Sequence, residues 1–459
     1  MNTRSSNILI LGLAREGVVL ARFFAGHGAA VTVTDSAAAE RLQRQVDAVP
    51  HGIDLALGED RPDLVERADR FFVSPGVPES NPVYQAAVSR GLAIESMTTL
   101  FFDLCPAPII GVTGSSGKTT TTGLIGHILR QAGMNAAVGG NIGDPMLELL
   151  PSITRSTNVV LELSSFQLSI LRRSPQIAVV TNISPNHLDR HGSMADYIRA
   201  KRHIVDHQRH GDHAVLNADD PAVAQFATST PGEIRWFGPT ARADGAVLLD
   251  NRIGLRRNER VHTIMSVSDI PLLGRHNIEN VMAAVATADI VGISPEHMAA
   301  AVRSFRPAPH RLQTVADIQG VRYIDDSIAT SPARACVALD AIDGPLLVIA
   351  GGRDKHVPWD AFAVKVAQRA RALFLLGEAA PLIEQAVLEK THDRSDLLRR
   401  DAVIQCASLE EAVQRARAMA HPGDAVVLSP GCASYDMFTD FEERGRVFVR
   451  AVEGLKHAA

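Results

Sequence analysis

The 459-residue chain is longer than one ordinary core can organise and implies about three domains. With 46% hydrophobic, 21% charged and 5% aromatic residues it has a globular composition, which excludes long disordered spans. A net charge of −5 gives no overall positive field for nucleic acid, and Gly, Pro or charge breaks every apolar run before membrane-spanning length.

Ile8 to Leu11 reads as a first strand; it runs straight into Arg15 and Glu16, unlike a signal peptide. A glycine turn (Gly12 to Gly17), a helix (Val18 to Ala25), a strand (Ala30 to Thr34) and Asp35 complete a Rossmann-like opening. The turn is not G-x-G-x-x-G, which disfavours NAD and leaves a plain βαβ turn or a different nucleotide. Phe71-Phe72-Val73 is another buried strand. Ser74-Pro75-Gly76-Val77-Pro78 closes it, as a ligand-bearing strand end or as a simple Pro-Gly turn. Cys105, Cys336, Cys406 and Cys432 are scattered without zinc spacing, so reduced thiols and a cytoplasmic location are expected.

After Pro106 and Pro108, the apolar Ile109-Ile110 leads into Gly111-Val112-Thr113-Gly114-Ser115-Ser116-Gly117-Lys118-Thr119-Thr120 and then a helix. Strand, glycine turn and helix form a phosphate-binding layout: glycines admit a polyphosphate, helix-start N–H groups donate to it, Lys118 adds charge and Thr119 offers a hydroxyl to Mg²⁺. The glycine spacing departs from G-x-x-x-x-G-K-[ST], because Val112 stands where the first glycine belongs.

Gly139-Gly140-Asn141-Ile142-Gly143-Asp144 reads as a glycine-rich turn before a helix near Pro145. Glu162, embedded in the apolar strand from Asn158, either holds Mg²⁺ or pairs with a core arginine. The strand Ile177 to Asn182 delivers His187-Leu188-Asp189-Arg190, residue types suited to metal and phosphate or to a solvated loop. On the helix Met194 to His207, Lys201 sits with Arg199 and Arg202 and reads, on spacing alone, as part of a solvated face. His203, His207, His210 and His213 lack the Cys or carboxylate partners of a metal site.

Residues 225 to 270 read as short β segments. Asn277 and Asn280 stand three apart before the helix Val281 to Ile290, placed to cap it or to meet a nucleotide base. From Arg306-Pro307-Ala308-Pro309-His310-Arg311 a third segment begins. It holds a hairpin (Leu312 to Ile318, Val321 to Ile324) and three strand–helix units with strands at 346–349, 372–376 and 425–428, plus a short one at 403–405. Turns at Gly351 to Lys355, Gly377-Glu378 and Ser429 to Ser434 mark the ligand edge of a second Rossmann-like domain.

Together these stretches resemble the Mur ligases of peptidoglycan synthesis, and among them the MurD type, which adds D-glutamate to UDP-N-acetylmuramoyl-L-alanine. The motifs that carry the resemblance are Ser74-Pro75-Gly76, Gly111 to Thr120, Gly140-Asn141-Ile142-Gly143, Glu162 to Leu168, His187 to Arg190, Gly274-Arg275-His276-Asn277 and Ser429 to Phe441, in that order. The irregular phosphate loop fits as well, since the family's loop has this Gly-x-x-Gly-x-x-Gly-Lys-[ST] form. The resemblance implies an α/β fold of three domains: an N-terminal Rossmann-like domain for the UDP substrate (1–105), a central P-loop ATPase with a mostly parallel sheet (106–306) and a C-terminal Rossmann-like domain for the amino acid (307–459). It also implies a closing motion of the third domain as the gate.

By the same resemblance Gly114, Ser115, Ser116, Gly117, Lys118, Thr119 and Thr120 bind ATP with Asn277, Asn280, Arg311 and Asp326. Leu13, Ala14, Asp35, Ser36, Ser74, Gly76 and Asn141 bind the UDP substrate; Thr330, Lys355, Ser434 and Phe441 bind glutamate. Lys118, Glu162, His187 and Lys201 are catalytic. Two Mg²⁺ sites draw on Thr119, Glu162, His187 and Lys201, the last as a carbamate formed with CO₂. The partners implied are UDP-N-acetylmuramoyl-L-alanine, glutamate and ATP, with no nucleic acid and no membrane span, for a monomer. Ile328 stands where many members have Lys, so L-glutamate or another amino acid is the alternative acceptor; Asp35-Ser36-Ala37 lacks an arginine often found there, a departure that concerns the uridine contacts. Folylpolyglutamate synthetase is disfavoured by the N-terminal Rossmann-like segment, and a nucleotide-gated P-loop ATPase is the reading from another class.

Overall fold

Runs of Ile, Leu, Val and Phe bounded by glycine become buried strands here, and the longer segments between them become helices on the sheet faces. The computed structural model describes residues 6–142, 145–241, 243–306, 309–391 and 398–456. Of the residues named above, Gly143, Asp144, Pro307 and Ala308 lie outside the described ones, as does the side chain of Asp189. The chain forms two compact units, one of Met1–Pro271 with Ile278–Phe305, the other of Leu272–Asn277 with Arg306–Ala459.

The first unit holds two sheets. One is parallel, in the order Asp54–Leu57, Ala30–Asp35, Asn7–Leu11, Arg70–Val73, Ile94–Glu95. The other runs Arg260–Ser266, Arg252–Arg257, Gly245–Leu249, Glu233–Gly238, His213–Asn217, Ile177–Val180, Ile109–Thr113, Asn158–Glu162, Ala136–Gly140. It is parallel except for the antiparallel pairings of its first three strands. A shared core extends from Ile8, Ile10 and Phe24 through Met97 and Phe101 to Met146, Leu161 and Ile204. Each such side chain contributes about 1.5–3 kcal/mol by leaving water.

The second unit has a six-stranded sheet, Gln313–Ile318, Val321–Asp325, Ala425–Leu428, Leu346–Gly351, Ala370–Leu376, Val403–Gln405, antiparallel only at its first pair. The expected α/β architecture with mostly parallel sheets is therefore the one observed. Local expectations change in several places, beginning with the helix expected from Val18, which starts at Arg15 inside the expected glycine turn. Gly139 and Gly140 end the strand Ala136–Gly140 instead of forming a turn, and the helix expected from Val281 begins at His276. Among the described residues no helix is long and apolar enough to cross a membrane, and the four cysteines are unpaired.

Candidate active site

Parallel strands point their C-terminal ends at one edge, and four neighbours in the nine-stranded sheet carry candidate residues there. Thr113 leads into the phosphate loop, Gly140 into Asn141, Glu162 ends its own strand, and Val180 leads to Asn182 and His187. Gly117 starts the helix Lys118–Gln131 at φ 79°, and a Cβ there would lie 2.3 Å from Asn280 Oδ1, so glycine is required. Asn280 also accepts from Thr121 Oγ1 at 3.3 Å. The Ser115 N–H donates to Asn182 O (2.8 Å) and the Ser116 N–H to Asn182 Oδ1 (2.9 Å), while the Ser115 and Tyr197 hydroxyls share a bond of 2.9 Å. Thr120 is half-buried in the first turn of the helix.

The charges converge on this loop. Lys118 Nζ donates to Gly114 O at 2.9 Å and Ser115 O at 3.1 Å. Lys201 Nζ donates to the same Gly114 O at 2.8 Å and lies 3.4 Å from Thr113 Oγ1. Lys201 is 1% exposed, which overturns the solvated-face reading: its helix turns this side chain inward under the phosphate loop. Burial first, and the Lys118 charge second, hold its pKa well below the ordinary lysine value, against the opposing pull of Glu162. Glu162, 2% exposed, accepts from Thr119 Oγ1 at 2.8 Å and Asn141 Nδ2 at 2.9 Å, with no arginine in that arrangement.

A hydroxyl and a carboxylate 2.8 Å apart are hard oxygen donors of the kind Mg²⁺ takes. Among the described residues no group of three or more His, Cys, Asp or Glu comes together. His187 adopts φ 53° ahead of the short helix Leu188–His191 and meets the Phe166 ring edge-on at 5.4 Å. His191 stacks on Phe166 at 4.7 Å and bonds Ser165 Oγ at 2.9 Å.

In the five-stranded sheet Asp35 accepts from the Leu13 N–H (2.8 Å) and the Ala37 N–H (2.9 Å), tying the ends of two neighbouring strands together. Ser74 Oγ donates to Gly12 O at 2.8 Å, and Arg190 reaches Gly76 O at 2.7 Å. Ala14 and Ser36 are exposed at this edge. A cavity of about 520 Å³ opens beside the Ser-Pro-Gly turn, lined in part by Ser74, Tyr84, Phe166, Arg190 and His191.

In the second unit the loops after three neighbouring strands carry the acceptor candidates: Asp326 to Thr330, Gly352 to Lys355 and Ser429 to Ser434. Lys355 Nζ donates to Thr330 O at 2.8 Å, and Ser434 is buried. The Phe441 carbonyl accepts from Ser327 Oγ at 2.7 Å. Asp326 accepts from the Leu312 N–H at 3.2 Å and Ser429 Oγ at 3.0 Å, and burial raises its pKa to about 7, with Arg311 among the groups opposing the rise. Asn277 Nδ2 donates to Leu273 O at 2.6 Å, and burial first, then the Arg311 charge, lower the pKa of the neighbouring His276.

The family profiles for the MurD-like N-terminal domain, the Mur ligase middle domain and the Mur ligase glutamate ligase domain match residues 6–96, 112–288 and 310–432. The chain is 43% identical to the UDP-N-acetylmuramoylalanine–D-glutamate ligase of Symbiobacterium thermophilum, across 97% of each chain. The chain belongs to the Mur ligase family. The ligase of the same name from a Roseiflexus species is 41% identical across 98% of each chain. Among solved structures, the UDP-N-acetylmuramate-alanine ligase MurC of Thermotoga maritima shares the fold at a TM-score of 0.58 and 18% identity, covering 98% of this chain and 99% of that one.

Several contacts that tie this region together join residues far apart in sequence. Gln167 donates to Glu16 Oε1 at 2.8 Å and accepts from the Ser164 N–H at 3.0 Å, linking the first glycine turn to the Glu162 strand. Burial lifts the Glu16 carboxyl to about 7. Arg444, 2% exposed, donates to Ser327 Oγ (3.0 Å), Ser327 O (2.9 Å) and Cys432 O (3.1 Å), binding two acceptor loops to each other. After Glu442 and Glu443 it looks like one more surface charge; only the fold reveals its partners.

Proposed function

We infer that this Mur ligase joins D-glutamate to UDP-N-acetylmuramoyl-L-alanine in peptidoglycan precursor synthesis, using ATP and releasing ADP and phosphate. The observation that carries this reading is the 43% identity, over 97% of each chain, with a ligase of that name. The gathering of Lys118, Thr119, Glu162 and Lys201 at one phosphate loop supports it.

A carboxylate is a poor electrophile, so it must first be activated. The alanine carboxylate oxygen attacks the γ-phosphorus, the bond to the β-phosphate oxygen breaks, and an acyl phosphate forms. The glutamate amine then attacks the acyl carbon; the carbon–oxygen bond to phosphate breaks and the nitrogen loses a proton. Lys118, aided by the N–H groups from Gly114 to Thr120, holds the β- and γ-phosphates, while Asn277, Asn280, Arg311 and Asp326 position the nucleotide. Leu13, Ala14, Asp35, Ser36, Ser74, Gly76 and Asn141 hold the UDP substrate, and Thr330, Lys355, Ser434 and Phe441 the glutamate. Thr119, Glu162, His187 and Lys201 would hold Mg²⁺, which supplies positive charge against the γ-phosphate and the reacting carboxylate.

Lys201 fits a carbamate on physical grounds. Burial and the Lys118 charge favour its neutral amine, whose nitrogen lone pair can bond to CO₂, and loss of the proton then leaves an anion. That anion replaces a like-charge repulsion with an attraction. In this reading the chain works as a monomer in the cytoplasm. Phosphate release tests the function: it should require both UDP-N-acetylmuramoyl-L-alanine and glutamate, and robust ATP turnover with neither would refute the ligase reading.

A further inference from the structure

The acceptor loops contain a cation that the roles above leave unused. Arg334 is exposed and stands third in the ten-residue helix Pro332–Ala341, directly after the Thr330 loop on which Lys355 Nζ is fixed at 2.8 Å. Among the described residues neither Arg334 nor Lys355 forms an ion pair. Asp340, the acid of the same helix, pairs with Lys365 at 2.7 Å, and Asp354 with His356 at 3.1 Å.

A cation in a first turn opposes the helix dipole, so Arg334 does not stabilise its own helix. Ser331 at the N-cap makes no side-chain bond, which leaves the first-turn N–H groups uncapped by it. Lys355 is depressed below the ordinary lysine value, by burial first and by Arg334 next, with Arg444 adding to both. Ile328, in the same loop, contributes no charge. Trp359 is 7% exposed, and its Nε1 has no partner among the described residues. A Cβ placed on Gly431 would lie 3.0 Å from the Trp359 ring and 3.7 Å from Pro332 Cα, so ring and helix start are neighbours. Two cations beside one turn repel each other, and an anion bound between them relieves that repulsion.

We propose that Arg334 is a specificity-determining contact for the acceptor, pairing with the side-chain carboxylate of the incoming amino acid while Lys355 takes its α-carboxylate. The proposal rests on the glutamate-ligase reading. Two pairings then select a dicarboxylic amino acid, and an apolar residue at 328 is tolerated because the charge comes from the helix instead.

The test is steady-state kinetics of the full-length enzyme and its Arg334→Ala and Arg334→Lys variants, with D-glutamate varied at low and high NaCl. Arg334→Ala should raise the KM for D-glutamate about tenfold, the loss of one charged hydrogen-bonded pair. The KM values for ATP and UDP-N-acetylmuramoyl-L-alanine should stay within about twofold, since those contacts remain. Arg334→Lys should recover part of the loss, and the rise of the glutamate KM with salt should be shallower in the alanine variant than in the parent. An alanine variant with the parent's glutamate KM and salt slope overturns the proposal. A parent enzyme that does not turn over D-glutamate at all refutes the underlying ligase reading instead.

Discussion

Two pairs of cations stand at strand ends in this chain, and burial separates their fates. Lys118 and Lys201 share the Gly114 carbonyl, with Lys201 1% exposed; Lys355 and Arg334 flank the Thr330 loop and both are exposed. In the buried pair, desolvation and the Lys118 charge both favour the neutral form of Lys201, as the proposed carbamate requires. In the exposed pair water screens the charges, which suits the proposed recruitment of an anionic substrate. The proposed roles follow this difference, catalysis for the dry pair and recognition for the wet one.

The contrast can be broken most forcefully at Lys201. Lys201→Ala should lower ligase turnover by at least about 10²-fold, the scale of losing one preorganised charge, and added short-chain carboxylic acids should restore part of it. A fully active alanine variant would end the carbamate assignment. Lys355→Ala should raise the KM for glutamate by about 10- to 100-fold and leave that for ATP nearly unchanged. Equal effects on both would place Lys355 outside the acceptor pocket.

The smallest expected effect concerns stability, and each unit has its own probe. Glu16 in the first and Asp326 in the second are raised by burial to about 7. The folded chain keeps their protons where the unfolded chain releases them near pH 4, so this contribution is complete below about pH 4 and is lost as pH rises through about 7. Glu16→Gln and Asp326→Asn should each make the fall in melting temperature between about pH 5 and pH 8 shallower, and an unchanged slope would contradict the burial argument.

Much of the fold was legible because local chemistry decides it. The strand Ile109–Thr113, the glycines after it and the helix from Lys118 follow from apolar run, backbone freedom and helix start. What stayed hidden depends on contacts distant in sequence. Lys201, flanked by Arg199 and Arg202, gives no sign that Gly114, 87 residues earlier, will receive its amine. Gly140 looked like a turn because glycine usually signals one. In the fold it ends a strand at φ 105°, where a Cβ would lie 2.3 Å from the Glu162 carbonyl oxygen. The Glu16–Gln167 bond spans 151 residues, and Asp54–Leu57 and Ile94–Glu95 are short edge strands with little pattern of their own.

The most direct measurement is the mass of the product formed from UDP-N-acetylmuramoyl-L-alanine and ATP with D-glutamate and L-glutamate in parallel. The expected result is a species heavier by one glutamyl residue from the D isomer alone, with one ADP and one phosphate per product. ATP consumption without a glutamyl adduct, or an adduct from the L isomer alone, would contradict it.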